Sequence, residues 1–233
     1  MTNPPKIRND PYASVSKLAE YTRAGAIRRR SILKRLKFPG GFPPRWYAGS
    51  RPAIARAIAA ADSSCLLPVA LSMRGDSSGT DHQQQLRGAC VTALDKIIDE
   101  ELLDLMPDFA GAGLAARAFE VAHKHEKLGI AGVTVSVAPD VIAESEDGRI
   151  GLVKVYLNQT HGLTKETGEM VATLLELHAE KHYSSKSVDR KHMVVLDVFG
   201  GNAFFAPKSL KRKRAELTAV CEEMADRWSA IKP

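Results

Sequence analysis

Near Val133 the hydrophobic period of this chain changes, and that change restricts the fold to one mixing helices with a sheet. Val133, Val135 and Val137 alternate with Thr134, Ser136 and Ala138, the period-two pattern of a half-buried strand. Upstream the repeats are helical. Residues 14–36 carry two strips, Val15, Leu18, Ala19 and Thr22, then Ile27, Ile32, Leu33 and Leu36, with Gly25 marking a break between them. The Pro- and Gly-rich run at 38–44 ends the second strip, because proline supplies no amide and glycine loses the most freedom in a helix. An Ala-rich helix follows at 52–61 and a polar loop at 74–81. A long helix over 82–106 places Leu86, Cys90, Leu94, Ile97, Ile98, Leu102 and Leu105 on one face. Another helix is expected over 114–127.

Downstream, Glu144-Ser-Glu-Asp-Gly148 reads as a hairpin turn. It makes 131–143 and 149–158 adjacent antiparallel strands. A helix at 164–182 leads to a strand at 193–198, a Gly200-Gly201-Asn202 turn and a short return through Phe204 and Phe205. The last helix carries Leu210, Leu217, Val220, Cys221, Met224, Trp228 and Ile231. The expected class is α/β (α+β), a small mixed sheet flanked by helices. Residues 1–62 form a basic helical N-terminal segment, and 83–233 the α/β core.

Charge separates the two parts. Residues 1–60 hold thirteen Lys and Arg against Asp10 and Glu20, a balance of +11, whereas the whole chain carries +6, which leaves −5 for the remainder. A basic module on a mildly acidic core points to a polyanionic partner. The tightest clusters are Arg28, Arg29 and Arg30, then Lys34, Arg35 and Lys37. Lys211 and Arg212 belong to a second cluster, at the start of the last helix. Cations there oppose the helix dipole by ~0.3–1 kcal/mol, so phosphate contact is one explanation and solubility another. The predicted partner is nucleic acid, DNA ahead of RNA, with a protein partner or a second copy of the chain as further possibilities. Cys65, Cys90 and Cys221 are widely spaced and form neither a disulfide framework nor a zinc ribbon. With no membrane-spanning run or signal-like leader, the expected compartment is the cytoplasm.

Two further patterns have ordinary readings. His178 and His182 share a helix face, but Glu180 does not follow the first histidine directly as a zinc-protease motif requires. Gly111-Ala-Gly113-Leu-Ala-Ala116 mimics a dinucleotide fingerprint without the strand that must precede it.

Pro139-Asp140 after one strand and Lys154 inside the next resemble the PD-(D/E)XK nuclease superfamily, in its RecB-like and lambda-exonuclease-like branch. The resemblance covers about residues 112–206. It implies a restriction-endonuclease-like core in which Asp140 is a metal ligand and Lys154 orients the attacking water and the phosphate. Mg²⁺ or Mn²⁺ would neutralise developing charge and lower the pKa of that water. Strand side chains two apart share a face, so the family's second acid belongs at 152, where this chain has Leu152. The resemblance then implies that a helix acid, Glu120 or Glu126, replaces it as metal ligand. The resulting expectation is a divalent-metal-dependent phosphodiester hydrolase, with Asp140, Lys154 and Glu120 catalytic. The alternatives are a non-cleaving nucleic-acid-binding module of the same fold, or an unrelated scaffold protein.

Overall fold

The computed structural model describes residues 7–40, 46–119 and 127–233. Strand β1 (Tyr12–Ser14) runs directly into helix α1 (Val15–Arg23), whose start is capped by the Ser14 hydroxyl. The chain breaks at Ala24 and Gly25, as the sequence predicts, and resumes as α2 (Ala26–Lys37). Helix α3 (Ser50–Ala60) ends where Ala61 turns left-handed. Helix α4 (Leu66–Gly75) is not signalled by the hydrophobic pattern of the sequence. Helix α5 (Asp81–Asp99) starts on a capping box between Thr80 and Gln83. It stops short of the expected 106, because Glu101 adopts φ 50° and the chain continues as one 3-10 turn, Leu102–Leu105. Leu102 stays buried while Leu105 turns outward.

The helix expected over 114–127 is not formed at either end. Ala115–Ala118 is strand β2 and Lys127–Ile130 is strand β3. Alanine favours helix locally, but pairing with a neighbouring strand decides the outcome. Strand β4 (Val133–Ser136) is present as expected, but its partners differ. It lies in a three-stranded sheet of order β1-β4-β3, parallel to β1 and antiparallel to β3. After it the chain turns at Ala138, φ 45°, and enters β5 (Val141–Glu144). It is β5 alone that forms the hairpin with β6 (Arg149–Tyr156), in register Ile142↔Leu152. The expected single strand over 131–143 is therefore two strands in two sheets.

Helix α6 (Lys165–His182) crosses from β6 to β7 (Ser187–Asp197), and the two strands pair in parallel. Strand β8 (Asn202–Phe205) returns antiparallel to β7, and helix α7 (Leu210–Trp228) ends the fold. The larger sheet has order β2-β5-β6-β7-β8. Gly168 allows α6 to lie on β8, since a Cβ there would fall 2.2 Å from the Phe204 ring.

Both faces of this sheet are covered. Leu152 and Tyr156 join Leu18, Tyr21, Leu33, Leu174 and Trp228 in one core layer, formed with α1, α2, α6 and α7. Val153 and Val155 join Ile54, Leu94, Ile97 and Leu196 in the opposite layer, formed with α3 and α5. Such double coverage explains why β6 reads as a nearly continuous apolar run. The class is α/β, a mixed sheet between helical layers. No helix among the described residues is long and apolar enough to cross a membrane.

Candidate functional site

Asp140 immediately precedes β5, and its backbone is held in the ladder by N–H donation to the Val153 carbonyl at 2.7 Å. This places its side chain beside Lys154, the one cation inside the buried length of β6. Lys154 Nζ lies 2.9 Å from Asp140 Oδ2 and donates also to the Ala138 carbonyl. The same Oδ2 accepts the Val155 amide at 2.8 Å. A third charged group completes the cluster. Arg51, in the first turn of α3, directs Nη1 at Oδ1 (2.9 Å), Oδ2 (3.0 Å) and the Val155 carbonyl (2.9 Å).

The electrostatics follow from one anion held between two cations. Burial alone would raise the Asp140 pKa, but Lys154 and Arg51 outweigh it and hold the carboxyl below the usual carboxylate range. Burial pulls the Lys154 ammonium below its ordinary value; Asp140 opposes the shift and Arg51 adds to it. Asp140 and Lys154 thus come together on one face of the sheet, as the sequence predicts. Leu152 points into the α6-side core at 0% exposure, so the position where the sequence resemblance expects a second acid is enclosed by apolar packing. Glu120 and Glu126 lie outside the described residues.

Arg51 carries the geometry that sequence reasoning missed. A local signal existed: a cation in the first turn opposes the helix dipole, which calls for a compensating anion. The described donors do not fit Mg²⁺ or Mn²⁺. Four donor contacts already meet the single carboxylate, and the cluster sums to +1 with its three groups ionised. Such ions bind through carboxylates and substrate phosphates, with several retained waters. His178 and His182 are ring neighbours, 4.6 Å between centroids, and no cluster of three or more acidic, His or Cys side chains suited to a metal occurs among the described residues.

The basic residues divide into tethers and free groups. Arg28 pairs with Glu20 of α1, and Arg29 pairs with Glu223 of α7 while donating to the Tyr21 and Thr22 carbonyls. Lys37 Nζ caps the C-terminal end of α7 at the Trp228 carbonyl, 2.7 Å away. Arg30, Lys34 and Arg35 are exposed and make no ion pair among the described residues. On α7, Lys211 is exposed and Arg212 pairs with Glu216 at 2.9 Å. The neighbouring cations are compensated by acids rather than by a ligand: Lys213 meets Glu216 and Glu169, and Arg214 meets Glu180.

The fold and cluster together define an α/β protein in which a buried Asp–Lys pair is joined by a part-exposed arginine at one end of the central hairpin. No protein-family model matches the chain, and no curated protein matches it significantly.

Proposed function

We propose that this chain is a nucleic-acid-binding module on a restriction-endonuclease-like core that does not itself cleave phosphodiesters. The observation that carries the binding half is the outer face of α2, where Arg30, Lys34 and Arg35 project from a strongly basic segment without internal partners among the described residues. Cations held on a rigid helix and left unpaired are suited to phosphate contacts, which release counterions and require no particular base sequence. What supports the non-cleaving half is the triad, whose carboxylate already accepts from Arg51, Lys154 and the Val155 amide. The three free cysteines suit a reducing cytoplasm, where nucleic acid is at hand.

A second reading keeps the hydrolase. The 2.9 Å approach of Lys154 to Asp140 on one sheet face favours it. It needs a further carboxylate, from Glu120 or Glu126, together with Mg²⁺ or Mn²⁺.

The deciding experiment is fluorescence anisotropy of a labelled duplex titrated at several salt concentrations, alongside cleavage assays with Mg²⁺, Mn²⁺ or EDTA. Salt-dependent binding without cleavage supports the first reading. EDTA-sensitive cleavage that Lys154→Ala abolishes supports the second. Absence of binding at low salt removes both.

A further inference from the structure

A carboxylate offers about four lone-pair positions, and at Asp140 four protein contacts approach its two oxygens, three at Oδ2 and one at Oδ1. Oδ1 accepts from Arg51; Oδ2 accepts from Lys154, the Val155 amide and, more distantly, Arg51. Oδ2 is fully occupied, and Oδ1, the oxygen with acceptor capacity to spare, has the Arg51 guanidinium against it. The same Arg51 nitrogen donates to the Val155 carbonyl at 2.9 Å, so the guanidinium is fixed to the strand as well as to the acid. Its side chain is 35% exposed, against 10% for Lys154 and 8% for Asp140. An ion arriving from solvent therefore meets the arginine first, and meets positive charge.

We infer that Arg51 is the resident cation of Asp140: its guanidinium fills the place a divalent ion would need, and arginine and metal compete for one carboxylate. The inference rests on reading the core as non-cleaving and is independent of whether α2 binds nucleic acid. Two of its consequences are chemical. Divalent metal leaves the wild-type triad unoccupied, because binding would require displacing a guanidinium held by three short contacts. Reversing the charge at position 51 uncovers a latent metal site, since two carboxylates beside Lys154 convert the cluster from +1 to −1, a composition hard divalent ions accept.

The test is Mn²⁺ titration of the full chain, followed by calorimetry and by the electron paramagnetic resonance signal of free Mn²⁺. Wild type is expected to show no saturable site that depends on Asp140. Arg51→Glu is expected to bind Mn²⁺ at least about tenfold more tightly than wild type, and adding Asp140→Asn to it should remove the gain. Saturable binding by wild type that Asp140→Asn abolishes overturns the inference, and so does a folded Arg51→Glu that binds no better than wild type. Should Arg51→Glu fail to fold, Arg51→Gln serves in its place: it removes the cation at similar length, and unchanged Mn²⁺ binding by the folded variant counts equally against the inference. Anisotropy with a labelled duplex on the same wild-type preparation reads nucleic-acid binding separately, so either idea can fail alone.

Discussion

Arg29 of α2 reaches Glu223 of α7 at 2.7 Å, while Arg28 beside it turns back to Glu20 of α1. Consecutive helical residues point about 100° apart, so the run Arg28–Arg30 is split among two neighbouring helices and solvent. Of the three, Arg30 alone has no acidic partner among the described residues.

That division yields a contrast in binding. Replacing Arg30, Lys34 and Arg35 together with alanine should weaken duplex binding and flatten the dependence of log affinity on log salt. The expected change in slope is about 0.9 for each phosphate that the variant no longer neutralises. Arg29→Ala should leave the slope nearly unchanged and instead lower the melting temperature, because it cuts the tie between α2 and Glu223 Oε2 and leaves two α1 carbonyls without the guanidinium. Anisotropy at four or five salt concentrations, with thermal denaturation of each variant, separates the two effects. An equal flattening of the slope in both variants would contradict the assignment of Arg29 as a tether.

The triad makes a second contrast, in stability. Asp140→Asn strands two cations, one of them deeply buried, whereas Lys154→Met leaves Asp140 paired with Arg51. Breaking a buried pair by removing one partner costs about 3–5 kcal/mol. Asp140→Asn should fall in that range and Lys154→Met below it, read from urea denaturation midpoints at constant m-value. The reverse order would mean that Lys154, and not Arg51, is the principal counter-charge.

Protonation offers a route to the same carboxylate without mutation. The folded-state pKa of Asp140 lies below its unfolded value of about 3.9. Between those two values the unfolded chain binds more protons, so stability rises with pH. The contribution is fully present above about 3.9 and is lost as pH falls through the folded value. Glu20 and Asp189 are also held low by cationic neighbours, so wild type should lose stability in acid at several sites. The loss specific to Asp140 is the difference between wild type and Asp140→Asn, which should shrink steadily below pH ~4. A difference independent of pH from 5 down to the acid transition would show that the charge of Asp140 is not what stabilises the site.

The hairpin at Glu144–Gly148, the crossover helix and the two strands it joins were legible because β6 and α6 are long and strongly patterned. Two features were not. Ala115–Ala118 has helix-favouring composition and becomes a strand only through its pairing with Val141–Glu144, information absent from four residues read alone. Val133–Ser136 shows the right period but not its partner, since Tyr12–Ser14 comes from more than a hundred residues away. At the site, Asp140 and Lys154 were visible because both lie near one hairpin. Arg51 is 89 residues from Asp140, and nothing in its immediate neighbours distinguishes it from Arg56 except its position in the first turn of α3.

Leu152 supplies the sharpest test of whether its position could hold an acid at all. It pairs with Ile142 across the hairpin and lies at 0% exposure in the layer shared with α6. A glutamate there would stand on the same strand face as Lys154, two residues along, yet within apolar packing. An isolated buried carboxylate is costly and tends to stay protonated, and the nearest ammonium is already committed to Asp140 and the Ala138 carbonyl. Leu152→Glu should therefore destabilise the protein at least as much as Leu152→Ala, whose expected cost is about 2–5 kcal/mol, and should create neither Mn²⁺ binding nor cleavage. Chemical denaturation at pH 5 and pH 8 checks the mechanism. A buried glutamate with a raised pKa leaves the variant more stable at the lower pH, because the folded state then retains a proton that the unfolded chain gives up. A Leu152→Glu variant as stable as wild type and able to bind Mn²⁺ would show that the position is open to the site after all.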